Sequence, residues 1–258
     1  MLCLLAAAAL VLSPPWRQVA PGVDVAPATE MGGDAAWAAR VVLIDPSRAQ
    51  LIVRYDPSRP TLSQWRTRFP GALAIVNGSF YSVEGAEVRP TCDMVMEGKR
   101  LRGAGCLRQD ALFFGAVPRP SDSVAAAQMV SREPAVKTPR FLTAADFKPE
   151  QWLEALKSFP SLVRGGVAGC SGPHYCAEVS RTAALAQLRD GRLLIFASQW
   201  PAVRREVAKW LAEEVGAMDA LNLDGGPEAT LAVRNEPAED AIGTLGVGLP
   251  IVIIVTAR

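Results

Sequence analysis

Polar residues suited to catalysis lie at the edges of three short apolar runs. Asn77 directly follows Ala72–Val76, and Asp224 follows Leu221-Asn222-Leu223. Each is followed by glycine, which lets a ligand approach backbone N–H groups closely. Arg181 opens a third apolar run, and arginine suits two-point binding of a phosphate. Polar residues at strand ends are a frequent active-site layout, so Asn77, Arg181 and Asp224 are candidate site residues.

Each of these features also has an ordinary structural explanation. Asp224-Gly225-Gly226 can form a simple turn that the aspartate caps. An arginine at a strand start is often part of a surface ion pair. After Asn77-Gly78 come two aromatic residues, of which Phe80 is expected in the core. The hydroxyl of Tyr81 needs a polar partner.

The composition excludes several classes of function. The 258 residues include 27 Lys and Arg and 26 Asp and Glu, so charge gives no reason to expect nucleic acid or an anionic membrane as partner. There is one histidine, His174, which excludes a multi-histidine zinc site. His174 is expected at the surface, inside the short Cys170–Cys176 loop; a proton donor facing a cleft is the alternative.

The N-terminus and the cysteines predict a secreted or periplasmic protein. The apolar run Met1–Leu12 has the length of a signal-peptide core and is too short to span a bilayer. Residues 1–13 are therefore predicted to be a signal peptide, although no basic residue precedes the run; a buried helix is the alternative. Without Cys3, four cysteines remain. Their spacing favours the disulfides Cys92–Cys106 and Cys170–Cys176 among three possible pairings, with reduced cysteines in a cytosolic protein as the alternative. No membrane span is expected in the mature form.

Several strands are predicted from β-branched runs and turn residues. Val41–Ile44 and Leu51–Tyr55, separated by Asp45-Pro46-Ser47, are typical of a hairpin. Ala183–Leu188 and Arg192–Ala197 flank an Asp-Gly turn and predict a second hairpin. Short buried strands are also predicted at Ala72–Val76, Ala111–Val117 and Ile251–Val255.

Three helices are predicted. Thr61 begins a capping box ahead of a helix that ends near Phe69. The apolar spacing of Trp152, Leu153 and Leu156 predicts a second helix over 149–159. A third helix is predicted between Pro201 and the cap Gly216. Together these elements predict a single α+β (mixed α/β) domain over 16–258, with a largely antiparallel or mixed sheet core and packed helices.

Four segments resemble, in order, the signature of the phosphodiester glycosidase family. They are Asn77–Tyr81 (N-G-G-F-F in the family), Phe159–Gly166 (G-P-x-L-[IV]-x-x-G), Ser180–Ala183 (R-T-A) and Asn222–Thr230 (N-L-D-G-G-G-S-S-T). The resemblance covers about 16–258 and implies a hydrolase acting on a sugar-phosphate diester. It implies that Arg181 neutralises the phosphate and that Asp224 acts as general base or nucleophile, with Asn77 as the third catalytic residue.

The resemblance also implies a set of substrate-binding residues. They are Gly78, Tyr81, Thr182, Asn222, Gly225, Gly226 and Glu228. The family's third glycine is replaced by Pro227, which cannot donate an N–H, and its two serines by Glu228 and Ala229. Glu228 thus places a second carboxylate near Asp224. The pair is suited to acid–base work or to a divalent cation, the one cofactor considered, and a solvated Glu228 is the alternative.

Two rival functions fit the same sequence. The first is that of a non-catalytic protein that binds glycans or the cell envelope, because a fold does not determine a function. A metal-dependent phosphodiesterase that uses Asp224 and Glu228 is the other. The favoured interpretation is an exported hydrolase with a small-molecule or glycan sugar-phosphate substrate, acting in cell-envelope or exopolysaccharide metabolism.

Overall fold

The computed structural model describes residues 16–106, 110–120, 138–170, 173–235, 241–244 and 246–258. The predicted signal peptide, residues 1–13, and the side chain of His174 lie outside the described parts. In chain order the strands are β1 (Arg17–Ala20), β2 (Val23–Pro27), β3 (Arg40–Ile44), β4 (Ala49–Tyr55), β5 (Ala74–Asn77), β6 (Tyr81–Glu84), β7 (Glu87–Pro90), β8 (Met94–Met96), β9 (Lys99–Leu101), β10 (Leu112–Pro118), β11 (Arg140–Leu142), β12 (Trp152–Ser158), β13 (Ser161–Arg164), β14 (Val167–Ala168), β15 (Val179–Ser180), β16 (Ala183–Leu188), β17 (Leu193–Ala197), β18 (Ala202–Val203), β19 (Ala217–Asn222), β20 (Leu231–Val233) and β21 (Ile251–Ala257).

Helices are few and short. The α-helices are α1 (Leu62–Arg68), α2 (Pro173–Cys176) and α3 (Arg204–Glu213), and single 3-10 turns occur at Ala28–Met31, Ala35–Trp37, Pro149–Gln151 and Gly226–Glu228. Thr61 caps α1 in the predicted capping box, in which its hydroxyl accepts the Gln64 N–H and the Gln64 side chain accepts the Thr61 N–H. α3 starts at Arg204, later than expected, because Ala202 and Val203 pair with β15.

Three sheets, of eight, five and four strands, organise the molecule. The eight-stranded sheet has the order β1-β2-β3-β17-β16-β19-β13-β14, and the four-stranded sheet has the order β20-β5-β21-β4. A five-stranded sheet runs β11-β10-β12-β8-β9, and β15-β18 and β6-β7 form two-stranded ribbons. Every pairing between these strands is antiparallel.

The main core lies between the three sheets. It contains buried side chains from each of them, among which are Val42 and Ile195, Val53 and Ile253, and Phe114 and Leu156. The outer face of the eight-stranded sheet is covered by α3 through Val207, Trp210 and Leu211. Leu62 and Trp65 of α1 cover the four-stranded sheet. The molecule is thus predominantly β, and only loosely the α+β arrangement that was predicted.

Two predicted elements are wrong. The segment predicted as a helix over 149–159 is one 3-10 turn followed by strand β12, because β10 and β8 pair with it on both sides. Apolar residues at short spacing do not separate a helix from a buried strand. The two strands of the predicted first hairpin exist as β3 and β4, but β3 pairs with β2 and β17 while β4 pairs with β21. The Asp45-Pro46-Ser47 turn therefore leads from one sheet to another.

The other predicted strands are confirmed, as is the hairpin of β16 and β17. Both disulfides form as expected, Cys92–Cys106 and Cys170–Cys176. No helix in the described parts of the chain is both long enough and apolar enough to cross a membrane.

Candidate active site

The candidate site lies where an end of β5 meets an end of β19, so it joins the four-stranded and eight-stranded sheets. The N–H of Asp224 donates to the Gly78 carbonyl at 2.9 Å. The Asn77 amide Nδ2 donates to the Asp224 carbonyl at 2.7 Å. Two hydrogen bonds therefore fix the backbone of Asp224 against the end of β5, although about 150 residues separate the segments.

The Asn77 side chain links two backbone segments. It is buried, and its Oδ1 accepts the Thr230 N–H at 3.0 Å while Nδ2 serves Asp224. A side-chain amide carries both an acceptor oxygen and a donor nitrogen, so it can accept from one segment and donate to another. The amide therefore holds both ends of the 224–230 loop and acts on Asp224 by positioning it.

Gly78 is required by packing. A Cβ on this residue would lie 2.3 Å from Cγ2 of Ile251 on the neighbouring β21, closer than atoms can approach. Its N–H donates to the Ile251 carbonyl at 2.8 Å. The glycine thus allows β21 to pass directly beneath the site.

Arg181 is tied to the same loop from the other side. Its Nε donates to the Gly226 carbonyl at 2.9 Å, and Nη2 donates to the Thr244 hydroxyl at 3.0 Å. The Arg181 carbonyl in turn accepts the Gly226 N–H at 2.9 Å. These side-chain bonds use two of the five guanidinium N–H groups, so the group is held rigidly with further donors remaining. The structure thus brings the Asn77, Arg181 and Asp224 segments together.

The two glycines after Asp224 do not offer the phosphate cradle that their sequence suggested. The Gly225 N–H donates to the Asp224 side chain at 2.9 Å, and the Gly226 N–H is occupied by Arg181. Both N–H groups are therefore committed within the protein. The Asp-Gly-Gly turn with its aspartate cap, the ordinary explanation of this sequence, describes the backbone correctly.

Asp224 nevertheless has unusual chemistry. Its side chain is half-buried. Burial and then the negative charge of Glu228 raise the pKa of Asp224 to about 8, against the weaker lowering effects of the Gly225 N–H and of Arg204. At neutral pH most molecules therefore carry this carboxyl in its protonated form, able to donate a proton.

Glu228 reaches the site through Tyr81. The Tyr81 hydroxyl donates to Oε1 of Glu228 at 3.1 Å and accepts from Nη2 of Arg59 at 3.1 Å. The Arg59 guanidinium also lies 5.3 Å from the centre of the Tyr81 ring. Burial and the charge of Glu228 raise the pKa of Tyr81 to about 12, so the phenol keeps its proton. Tyr81 thus finds the polar partner that its hydroxyl requires.

Two predicted substrate-binding residues are out of reach of a ligand. Thr182 is fully buried, and its hydroxyl donates to the Ser180 carbonyl at 3.2 Å. Asn222 is also fully buried, and its Oδ1 accepts from Nε of Arg204 at 3.1 Å. Both side chains point into the protein, so direct contact with substrate is not supported for either of them. They support the site from behind.

Arg204 is the residue that the sequence analysis missed. It is 3 % exposed, and its Nη1 donates to the Glu178 carboxylate at 3.0 Å and to the Tyr175 carbonyl. Its Nη2 lies 3.7 Å from the position that a Cβ on Gly225 would occupy. The helical spacing of Arg204 with Val207 and Leu211 was the available signal, because it places all three on the buried face.

A small depression, which encloses no space for a water molecule, borders Asp224. It is lined by Asn77, Gly78, Ser79, Tyr81, Asp224, Glu228, Leu249, Pro250 and Ile251, and by neither Arg181 nor Arg204. The Ser79 hydroxyl is buried there and has no hydrogen-bond partner among the described residues.

Two larger concavities, of about 480 and 620 Å³, lie beside α1 and α3 and contain none of the predicted site residues. The site is assigned by chemistry and not by size. In the parts of the chain that the structure covers, no group of three or more His, Cys, Asp or Glu side chains is arranged to hold a metal ion.

A sequence profile of the family described as phosphodiester glycosidase matches residues 70–254. The chain belongs to the phosphodiester glycosidase family. No curated protein matches the sequence. The matched range contains all four signature segments, and the structure brings three of them, at β5, before β16 and after β19, to one place.

Solved structures share the fold. A zebrafish N-acetylglucosamine-1-phosphodiester alpha-N-acetylglucosaminidase catalytic domain, auto-inhibited by its pro-peptide, is 17% identical with a TM-score of 0.60, over 85% of this chain and 77% of that one. A protein from Burkholderia pseudomallei is 14% identical with a TM-score of 0.55, over 84% and 73% of the two chains. A Synechocystis protein is 15% identical with a TM-score of 0.55, over 94% of this chain and 61% of that one. At such identities the likeness concerns the fold alone.

Proposed function

We propose that this phosphodiester glycosidase family member hydrolyses the bond between the anomeric carbon of a sugar and a phosphate diester. The observation that carries the proposal is the protonated, half-buried Asp224 at the meeting point of the signature segments. A carboxyl whose pKa lies near the operating pH is suited to proton transfer in a transition state.

In this proposal Asp224 is the general acid, where the sequence alone suggested a base or nucleophile. The sugar–oxygen bond breaks with its electron pair on the phosphate oxygen, and the Asp224 proton neutralises that oxygen. A protonated carboxyl also avoids repulsion with the negative phosphate of the substrate, which an ionised one would suffer. The products are a sugar with a free anomeric hydroxyl and a phosphate monoester.

Arg181 supplies the positive charge in this proposal. Its guanidinium is already held by Gly226 and Thr244, so little side-chain freedom is lost when its remaining N–H groups meet a phosphate. The zebrafish relative acts, by its name, on an N-acetylglucosamine-1-phosphodiester. A sugar-1-phosphodiester is therefore the substrate class proposed here.

An exported setting is proposed with this function. Two disulfides, Cys92–Cys106 and Cys170–Cys176, are typical of proteins that fold in an oxidising compartment. The loop closed by the second contains Tyr175, whose carbonyl accepts a hydrogen bond from Arg204. A substrate from the cell envelope or an exopolysaccharide would meet the protein there.

The test is a screen for hydrolysis in ¹⁸O-labelled water. Its substrates are UDP-sugars and sugar-1-phosphodiesters whose second ester group is either methyl or another sugar. The proposal predicts ¹⁸O in the anomeric hydroxyl of the released sugar. Incorporation into the phosphate would instead show P–O cleavage and a phosphodiesterase. Binding of the diesters without turnover would contradict an enzymatic function and support a glycan-binding protein instead.

A further inference from the structure

The Tyr81–Glu228 contact joins two positions at which the chain departs from the family signature. Tyr81 replaces the second phenylalanine of N-G-G-F-F, and Glu228 replaces a serine after the glycines. The two replacements touch through the hydrogen bond from the phenol to Oε1 of Glu228. This hydrogen bond thus links a hydroxyl and a carboxylate at two positions where the signature has neither group.

We propose that Glu228 is the general base of this site, taking a proton from the attacking water while Asp224 protonates the departing oxygen. The proposal rests on the proposed function. It assigns to Glu228 a role that the family signature, with serine at this position, does not contain.

The surroundings hold Glu228 as an acceptor. Tyr81 keeps its proton and directs it to Oε1 of Glu228, and Arg59 donates to the Tyr81 oxygen from behind. The Tyr81 bond uses only one of the two carboxylate oxygens. The other, Oε2, is the oxygen that would take the proton from water.

The backbone of Arg59 is tightly constrained. It has a φ of 54°, in the left-handed region that residues other than glycine rarely occupy. A Cβ on Gly248 would lie 2.7 Å from the Arg59 carbonyl, so only a glycine fits against it. Strained backbone of this kind persists where the surrounding structure enforces it, often at functional sites.

The two carboxyl groups face the same depression. Asp224 and Glu228 both line it. The charged and titratable groups that act on Asp224 are Glu228 and Arg204, with Tyr81 and Arg59 behind Glu228. A neighbouring charged carboxylate keeps the other one protonated, which separates the acid from the base.

The proposed step balances without any other reactant. Glu228 takes one proton from water, the water oxygen bonds to the anomeric carbon, and the bond from that carbon to the phosphate oxygen breaks. Asp224 gives its proton to that oxygen. Exchange with solvent then moves a proton from Glu228 back to Asp224, and the net reaction is diester plus water to sugar plus monoester.

The test compares the wild type with Glu228→Gln, which keeps the shape and hydrogen bonding but cannot accept a proton. Glu206→Gln, an exposed change on α3, is the control. We expect Glu228→Gln to lower kcat on the order of 100-fold to 10,000-fold, to abolish the acidic limb of the pH–rate profile and to regain turnover with sodium azide. Azide is already an anion and needs no base, so a sugar azide should form.

Tyr81→Phe tests the positioning of Glu228. Without the phenol proton the ionised form of Glu228 loses a donor, so the acidic limb should move to higher pH while folding is retained. A merely structural Tyr81 would lower stability and leave the limb in place, which would overturn its positioning role.

A measurement that needs no turnover accompanies these rates. Carbon-13 NMR of the Asp224 carboxyl should show a lower pKa in Glu228→Gln than in the wild type, because the neighbouring negative charge is gone. Two results would overturn the base role alone. One is an Asp224 pKa that is the same in Glu228→Gln and in the wild type. The other is an active wild type whose Glu228→Gln variant retains the acidic limb of the pH–rate profile. A wild type that hydrolyses no sugar-phosphate diester overturns the proposed function, and the base role with it.

Discussion

Hydrogen bonds to its backbone position Asp224, and neighbouring groups raise the pKa of its carboxyl. The Gly78 carbonyl and the Asn77 amide hold the main chain, while Glu228 and burial act on the carboxyl. The two tasks are separate, because the residues that position Asp224 carry no charge. A carboxyl kept protonated in this way should destabilise the folded protein when it is forced to ionise.

Replacing Asp224 with Asn should therefore stabilise the protein in a pH-dependent way. Between the ordinary value of 3.8 and about 8, the folded carboxyl holds a proton that the unfolded one has lost. The wild type then loses stability as pH rises through this window, by up to about 1.4 kcal/mol per pH unit, whereas the asparagine variant does not.

Urea unfolding of both proteins at pH 4, 6 and 7.5 measures this effect. The difference in unfolding free energy should be smallest at pH 4, just above the ordinary pKa of 3.8, and should grow with pH. A difference that stays constant would show that the pKa of Asp224 is not raised.

Arg181→Lys should slow the reaction strongly, although the variant keeps the positive charge. The guanidinium bonds Gly226 and Thr244 at the same time, and a phosphate would meet further N–H groups of the same plane. An ammonium is a point charge that cannot make these contacts together. A lost charge-assisted contact of about 3 kcal/mol lowers kcat/KM on the order of 100-fold.

Thr244→Val is the matched control for Arg181→Lys, because it removes one bond of the guanidinium and leaves the charge. It should cost less than about tenfold in kcat/KM if phosphate binding is the main role. A near-wild-type rate for Arg181→Lys, with an unchanged melting temperature, would exclude the phosphate contact.

The positions of Asn77, Arg181 and Asp224 were predictable from sequence because each lies at a strand end beside small residues. Their individual tasks were not. The amide of Asn77 could as well have bound substrate, and only its two backbone partners show that it braces the loop. Arg204 was not among the predicted site residues, yet its charge is buried beside Asn222.

At the scale of elements, the site depends on how closely β21 approaches the end of β5. Gly78→Ala would push a methyl group into Cγ2 of Ile251, which lies 2.3 Å from the position that its Cβ would take. The strands would have to separate, at about 1–3 kcal/mol. Because the Gly78 carbonyl accepts the Asp224 N–H, the same shift should displace the Asp224 carboxyl and lower the proposed activity.

Gly71→Ala is the control, because a Cβ there would meet no atom within 4 Å and the residue has no left-handed backbone. Chemical unfolding and initial rates of both variants test the argument. Equal effects on stability would mean that the close contact with Ile251 is not what requires glycine.

Local patterns predicted strands better than they predicted strand partners. β16 and β17 were recognised as a hairpin because the Asp-Gly turn and both strands agree, and they pair as expected. β3 and β4 carry an equally good turn signal but enter different sheets. The choice is made by distant partners, β17 and β21, about which the turn residues contain no information. β12 was mistaken for a helix for the same reason, since its pairing with β8 and β10 is non-local.

At the scale of the whole molecule, a buried carboxylate ties two sheets together. Glu154 on β12 is 5% exposed; it accepts the Val53 N–H of β4 at 3.0 Å and pairs with Arg54 at 3.0 Å. Burial, only partly offset by these donors, raises the pKa of Glu154. Arg54 keeps a second partner, Glu97, at 3.4 Å, but the Val53 N–H loses its acceptor. Glu154→Ala should therefore cost about 1–3 kcal/mol.

Glu150→Ala, an exposed change just before β12, is the control for Glu154→Ala and should alter stability by less than about 0.5 kcal/mol. Guanidinium unfolding measures both. If the two variants unfold at the same denaturant concentration, the Glu154 bridge does not hold the sheets together.

The most direct test of the central claim is a ³¹P NMR time course with a sugar-1-phosphodiester at pH 6.5, comparing the wild type with Asp224→Asn. The account predicts that the wild type converts the diester resonance into a monoester resonance, with one free sugar released per monoester. It predicts a folded Asp224→Asn variant that is on the order of 100-fold slower or more, because the proton donor is missing. Equal rates for the two proteins, or no monoester from the wild type with any sugar-1-phosphodiester, would contradict it.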